Sequence, residues 1–127
     1  MPSADPLLKI VLAEKLALID EHWRPKVVAE VNGQEVKLAK FEGAFVWHHH
    51  ERADEMFLGV EGEFRVEFRD APAVVIGPGD LIVIPRGVEH RTVAEREASV
   101  LIVESSDTRN TGNVKDDRLT APQGARV

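Results

Sequence analysis

Between Glu63 and Arg69 the chain alternates charged and apolar residues without a break: Glu63-Phe64-Arg65-Val66-Glu67-Phe68-Arg69. Side chains leave opposite faces of a β-strand in turn, so this pattern describes a strand with Phe64, Val66 and Phe68 facing inward and its charges on a solvated face. Comparable short segments recur between turn signals. Val27 to Val31 and Glu35 to Phe41 flank Asn32-Gly33, a pair suited to a type I′ hairpin because both positions accept positive φ. Met56 to Val60 is apolar, and Gly59 within it marks a bulge or a close backbone approach. Ala73 to Ile76 forms a short strand. Gly77-Pro78-Gly79-Asp80 then has the chemistry of a type II turn. Leu81 to Ile84 is continuously apolar, Pro85-Arg86-Gly87 turns again, Val88, His90 and Thr92 share a face, and Ser99 to Glu104 closes the series. Short strands punctuated this regularly predict an all-β sandwich or barrel.

The flanks read differently. Leu12, Leu16, Ile19 and Trp23 fall on one stripe of a short N-terminal helix that Pro25 ends. The expected organisation is residues 1–24 as a strand and helix segment packing on the barrel or on a dimer partner, 25–104 as the barrel, and 105–127 as a polar, loosely packed arm. At 127 residues the chain is one domain with room for a core.

It contains no cysteine, which excludes thiolate nucleophiles, zinc ribbons, iron-sulfur clusters and disulfides and fits a reducing compartment. Pro2, Ser3, Asp5 and Pro6, followed by an apolar stretch broken by Lys9, Glu14 and Lys15, give neither a signal peptide nor a spanning helix. The expectation is a cytoplasmic protein with no membrane partner. A net charge of -6 without a basic cluster argues against nucleic acid.

The chemistry concentrates in Trp47-His48-His49-His50-Glu51-Arg52-Ala53-Asp54-Glu55. On a strand His48 and His50 share a face, roughly 7 Å apart at Cα, while His49 points the other way. Two imidazoles at that spacing suit one metal ion, and Glu55 with His90 on a later strand would complete a set of three histidines and one carboxylate. A solvated histidine loop or a tag remnant is the competing reading of such a run.

These residues resemble the cupin family, small jelly-roll β-barrels built around two motifs. The first matches Gly43, His48, His50, Glu55 and Gly62, and the second Gly79, Pro85, Gly87 and His90, with Ala94 where the family has asparagine. The resemblance implies a cupin barrel preceded by a short helix, with metal ligation by His48, His50, Glu55 and His90. It also implies pairing of barrels into a homodimer, for which Phe45 and Trp47, expected to point outward, and the two-sided Leu81 to Ile84 strand supply apolar surface.

Such a ligand set accepts one divalent transition metal ion: iron, manganese, nickel, cobalt, copper or zinc. By strand parity the surrounding wall should carry Val46, Phe57, Phe64, Val66, Val88 and Thr92, without a second carboxylate or a cation. That lining favours metal-centred chemistry on a small-molecule ligand, such as oxidation of a chelating metabolite. A non-catalytic module binding metal or a small ligand is the alternative. A sugar-phosphate isomerase is disfavoured because a phosphate calls for inward arginine or lysine.

Overall fold

The computed structural model describes residues 7–127; Pro2, Ser3, Asp5 and Pro6, which support the expectation of no leader, lie outside them. A five-residue helix, α1 (Leu12–Leu16), precedes seven strands: β1 (Lys26–Val31), β2 (Gln34–Ala44), β3 (Glu55–Glu61), β4 (Phe64–Phe68), β5 (Val74–Ile76), β6 (Leu81–Ile84) and β7 (His90–Ser105). All pairings between the strands are antiparallel. The all-β expectation holds.

Hydrogen bonds run through the order β1-β2-β7-β3-β6, with β4 joining β7 and β5 joining β4. Strand β7 organises the barrel. Its first residues, His90 to Val93, pair with β4, its later residues, Ser99 to Val103, pair with β3, and β2 follows it along nearly its whole length. The exposed residues Glu95, Arg96 and Glu97 mark the change from one layer to the other.

Local chemistry explains the turns. The β1–β2 hairpin closes through Asn32 at φ 51 and Gly33 at φ 76, the paired positive angles of a type I′ turn. Gly59 combines both roles expected of it. The β3–β7 register shifts between Gly59 and Glu61, and a Cβ on Gly59 would collide with the Gly77 carbonyl oxygen.

The interior is packed by Phe41, Phe57, Phe64, Val66, Ile76, Ile84, Val100 and Ile102, and Trp23 and Phe45 join them. A second cluster lies outside the sheet, where Leu16 and Ile19 cover Leu38 with Leu12, Val28, Val60, Leu101 and Val127 around them. Burying Leu16 and Ile19 there is worth roughly 2 kcal/mol each. A helix this short does not persist alone. Packing holds it, together with Lys15, whose Nζ donates to the Val127 carbonyl at 3.0 Å.

Two expectations change. The apolar stripe does not continue as a helix to Trp23. The helix stops at Leu16, and Trp23 turns into the barrel at φ 63, its backbone N–H donating to Lys40 O at 2.9 Å and its indole to Glu42 O at 3.0 Å. Residues 105–127 are not loosely packed either. Thr111 is fully buried, Leu119 and Ala121 are buried, and the chain end pairs with β1 through Val27 N–H to Ala125 O at 2.7 Å. The arm is polar because its interior is hydrogen-bonded: Asn110 holds Leu119 O and the Ala121 N–H, each at 2.8 Å.

Candidate metal centre

Strand β2 ends at Ala44, and the histidine run follows as a separate segment laid antiparallel on the start of β7. His48 and His90 exchange both backbone hydrogen bonds, at 3.0 and 2.9 Å, and the Gly87 N–H donates to His50 O at 2.7 Å. The two motif regions, distant in sequence, are thereby joined backbone to backbone. Glu55 opens β3 opposite Ile84.

All four sequence-predicted residues converge. His48, His50, Glu55 and His90 are buried, and one ligand atom from each lies within 4.8 Å of every other, so the group could hold a metal ion. His49 stands apart, half-buried with its Nε2 3.6 Å from Glu51.

The hydrogen bonds show why the group suits a cation. His48 Nδ1 donates to Val46 O, and His90 Nδ1 to Val88 O, both at 2.9 Å. A carbonyl only accepts, so Nδ1 carries a proton in both rings, and in the neutral form Nε2 presents a lone pair. The same two-residue reach back along the chain orients both rings. Burial pushes His48 down from 6.5 to about 4, helped by the neighbouring His90, so this ring is neutral at pH 7. Opposite them Glu55 Oε1 stands 3.3 Å from His50 Nε2 and 3.5 Å from His90 Nε2. These three atoms are buried without a hydrogen-bond partner. Ring nitrogens and a carboxylate oxygen left without hydrogen-bond partners in a dry interior are well satisfied by a cation placed between them.

Behind Glu55 lies a feature that the sequence reading missed. Glu104, at the far end of β7, reaches Glu55, while Lys37 Nζ donates to its Oε1 at 2.8 Å and lies 3.5 Å from Glu35. Glu35, Lys37 and Glu104 are all buried. Burial and the adjacent Glu55 hold Glu104 well above the usual carboxylate range, against the opposing pull of Lys37. Burial also pushes Glu55 up, but the His50 and His90 imidazoles beside it and the neighbouring Glu104 outweigh it and keep Glu55 well below that range. The two neighbouring carboxyls are thus pushed apart, Glu104 toward its protonated form and Glu55 toward its charged one. Strand parity carried the signal: Lys37 shares a face with Ala39 and Phe41, and Glu104 with Val100 and Ile102, all inward.

A small cavity, about 20 Å³, opens beside His48 and Glu55 and is walled by Trp23, Phe41, Phe45, Phe57, Ile102, Thr92, Asn110 and Glu104, among others. Of the expected wall, Phe57 and Thr92 are present; Phe64 and Val66 are deeper in the core, with Val46 and Val88 packed against it. The expectation of no second carboxylate is overturned by Glu104.

Phe45 also departs from expectation. It faces inward, stacked on Trp23 at 4.7 Å, because the pleat breaks after Ala44 and strand parity no longer extends to the histidines. Trp47 does face outward, under the Arg69 guanidinium at 3.9 Å. Arg65, Glu67, Arg91 and Glu95 pair across the outer face of β4 and β7, as a solvated charged face should. Arg52 lines a wider cleft with His50, Arg109 and Asn113.

With that barrel and that buried cluster, the sequence comparison is decisive: the cupin domain profile matches residues 34–104, from the start of β2 to one residue short of the end of β7. The chain belongs to the cupin family. A cupin-2 domain containing protein from Shewanella frigidimarina is 42% identical, with a TM-score of 0.74 over 76% of this chain and 93% of that one. The uncharacterized protein YdbB of Bacillus subtilis is 37% identical over 87 residues, 61% of this cupin and 77% of YdbB. The barrel also superposes on hydroquinone 1,2-dioxygenase PnpCD in complex with Fe3+, with a TM-score of 0.68 and 19% identity, over 80% of this chain and 33% of the dioxygenase chain. That last likeness is one of fold.

Proposed function

We propose that this cupin binds one divalent transition metal through His48, His50, Glu55 and His90 and is a metal-dependent oxygenase of a small chelating metabolite. The observation that carries metal binding is the set of buried, partnerless ligand atoms on His50, His90 and Glu55. Bound there, a redox-active ion would supply electron transfer to oxygen and polarise a chelating substrate.

The chain's own residues support the rest. Trp23, Phe41, Phe45, Phe57 and Ile102 present an apolar, largely aromatic wall beside His48 and Glu55 that limits access of water. Thr92 offers one hydroxyl. Glu104, pushed toward its protonated form, stands at the same wall and offers a carboxyl group for proton transfer. A sugar-phosphate isomerase is less well supported: no arginine or lysine lines the cavity, and Lys37 is committed to Glu104 and Glu35. One observation favours a non-catalytic metal-binding module, namely that a cavity of about 20 Å³ holds little more than a water molecule.

Elemental analysis of protein purified without a metal-affinity column, beside a His50→Ala variant, tests ligation. The expected result is about one equivalent of metal in the parent and none in a variant of unchanged circular dichroism. A parent that neither retains nor takes up metal refutes it. Oxygen consumption by the iron-loaded protein over a panel of chelating metabolites tests catalysis, and silence across the panel leaves the module reading.

The assembly belongs to the same proposal. On β6 Leu81 and Val83 are 54% and 51% exposed, and they sit across from Leu58 and Met56 of β3, half-buried on the same outer face. A second copy covering this strip gives a homodimer. Among the described residues no helix is long and apolar enough to cross a membrane. The cysteine-free composition fits a cytoplasmic home.

A further inference from the structure

The residues after Ser105 fall outside the region matched by the cupin profile, yet they close on the histidine run itself. Asn113 holds both backbone polar groups of His49, the residue between the two ligand histidines. The His49 N–H donates to Asn113 Oδ1 at 2.9 Å, and the Asn113 N–H donates to His49 O at 3.0 Å. Beside it Gly112, at φ +57, lies so close that a Cβ would collide with the His49 carbonyl oxygen and stand 3.0 Å from Cδ2 of the His48 ring. A side chain is excluded there both by space and by backbone conformation.

Each residue of the run is therefore held at its backbone from outside: His48 by His90, His50 by Gly87, and His49 by Asn113. The first two holds come from the barrel and the third from the arm. The arm is built to bear on this point. Thr111, fully buried, meets Thr120 Oγ1 at 2.7 Å, Asn110 reaches Trp23 O at 3.2 Å, and Arg109 Nε donates to the Gly112 carbonyl at 2.9 Å.

We propose that Gly112 and Asn113 are positioning residues of the metal centre: the C-terminal arm clasps His49, fixes the aim of the His48 and His50 imidazoles, and docks cooperatively with the metal. The inference rests on ligation by those two histidines. Partners that orient ligands commonly govern metal affinity by about 10–100-fold. Coupling of this kind is reciprocal, so metal binding also tightens the clasp by the same factor.

The test is a titration of the metal-free full chain with Co(II) against a competing chelator, for the parent and for Asn113→Ala, Asn113→Asp, Gly112→Ala and Lys115→Ala. Asn113→Ala is expected to bind about 10–100-fold more weakly and to shift the Co(II) absorption bands. Asn113→Asp, which keeps an acceptor for the His49 N–H, restores affinity and spectrum. Lys115→Ala, an exposed change on the same arm, matches the parent. Gly112→Ala loses at least as much as Asn113→Ala. Hydrogen exchange at the His49 amide is slowed by metal in the parent and not in Asn113→Ala. If Asn113→Ala binds Co(II) with the parent's affinity and spectrum, the clasp is refuted while ligation stands; if the parent binds no Co(II), ligation fails and the clasp falls with it.

Discussion

Replacing Lys37 by methionine removes the cation that stands between Glu35 and Glu104, 3.5 Å from the first and 2.8 Å from the second. Methionine fills nearly the same volume, so the change isolates charge from packing. Breaking a buried ion pair on one side costs about 3–5 kcal/mol, because the remaining charge is stranded in a medium that solvates it poorly. Two observations place this case at the lower end. Glu104 already favours its protonated form, so losing the lysine strands chiefly Glu35, and Glu35 is 5% exposed rather than sealed. We expect a loss of about 3 kcal/mol. At about 2.1 cal/mol/K of unfolding entropy per residue over 127 residues, Tm falls by about 11 °C. Urea denaturation of the metal-free protein at pH 7 measures the first quantity and calorimetry the second. The double variant Lys37→Met with Glu35→Met, which removes the carboxylate that the lost lysine strands and leaves Glu104 pushed toward its protonated form, should recover most of the loss. A single variant within about 0.5 kcal/mol of the parent would show that the triad is solvated and that the reasoning is wrong.

His48 makes the metal-free protein sensitive to acid. Its pKa is lowered from 6.5 to about 4 by burial and by His90, so between those values the unfolded chain binds a proton that the folded chain refuses. The stabilisation is present above pH 6.5 and is lost as pH falls toward 4, by about 3 kcal/mol in all, and a His48→Gln variant titrated by urea denaturation should show a flatter profile over that window. On the outer face, Leu81→Glu together with Val83→Lys should convert a dimer to a monomer in sedimentation velocity without changing Tm by more than a few degrees; a monomeric parent at micromolar concentration would refute the proposed pairing.

Much of the barrel was legible because its signals are local. Alternation in β4, the Asn32-Gly33 turn and the Gly77 to Asp80 turn each depend on a few adjacent residues, and all stand where they were expected. The four ligand candidates were legible for a related reason: His48 and His50 share a face, and His90 lies at the start of a strand. Longer-range features were read less well. Phe45 turned inward because β2 stops at Ala44, and a pleat cannot be counted across a break. Glu104 was placed only as the end of the last strand segment, although its parity with Ile102 directed it inward. Only the facing Lys37 and Glu35, supplied by β2, make such a burial tolerable. The arm was misjudged because its order comes from side-chain hydrogen bonds at Asn110, Thr111 and Thr120, which leave no apolar period to read.

The length of β7 has a consequence for the order of events in folding. Three of the four ligand candidates, His48, His50 and Glu55, are close together in the chain and leave the ribosome almost at once. The fourth arrives with the strand on which β2, β3 and β4 all close. Such non-local pairing is the slow part of forming a β-barrel, typically milliseconds to seconds. Until β7 docks, the early histidines form an open, flexible chelator with no fixed geometry and nothing to discriminate between ions. Once it docks, the site has its shape all at once. If the proposed ligation holds, the ion acquired would then depend on which metal is at hand when the last long strand closes, as well as on the ligands themselves.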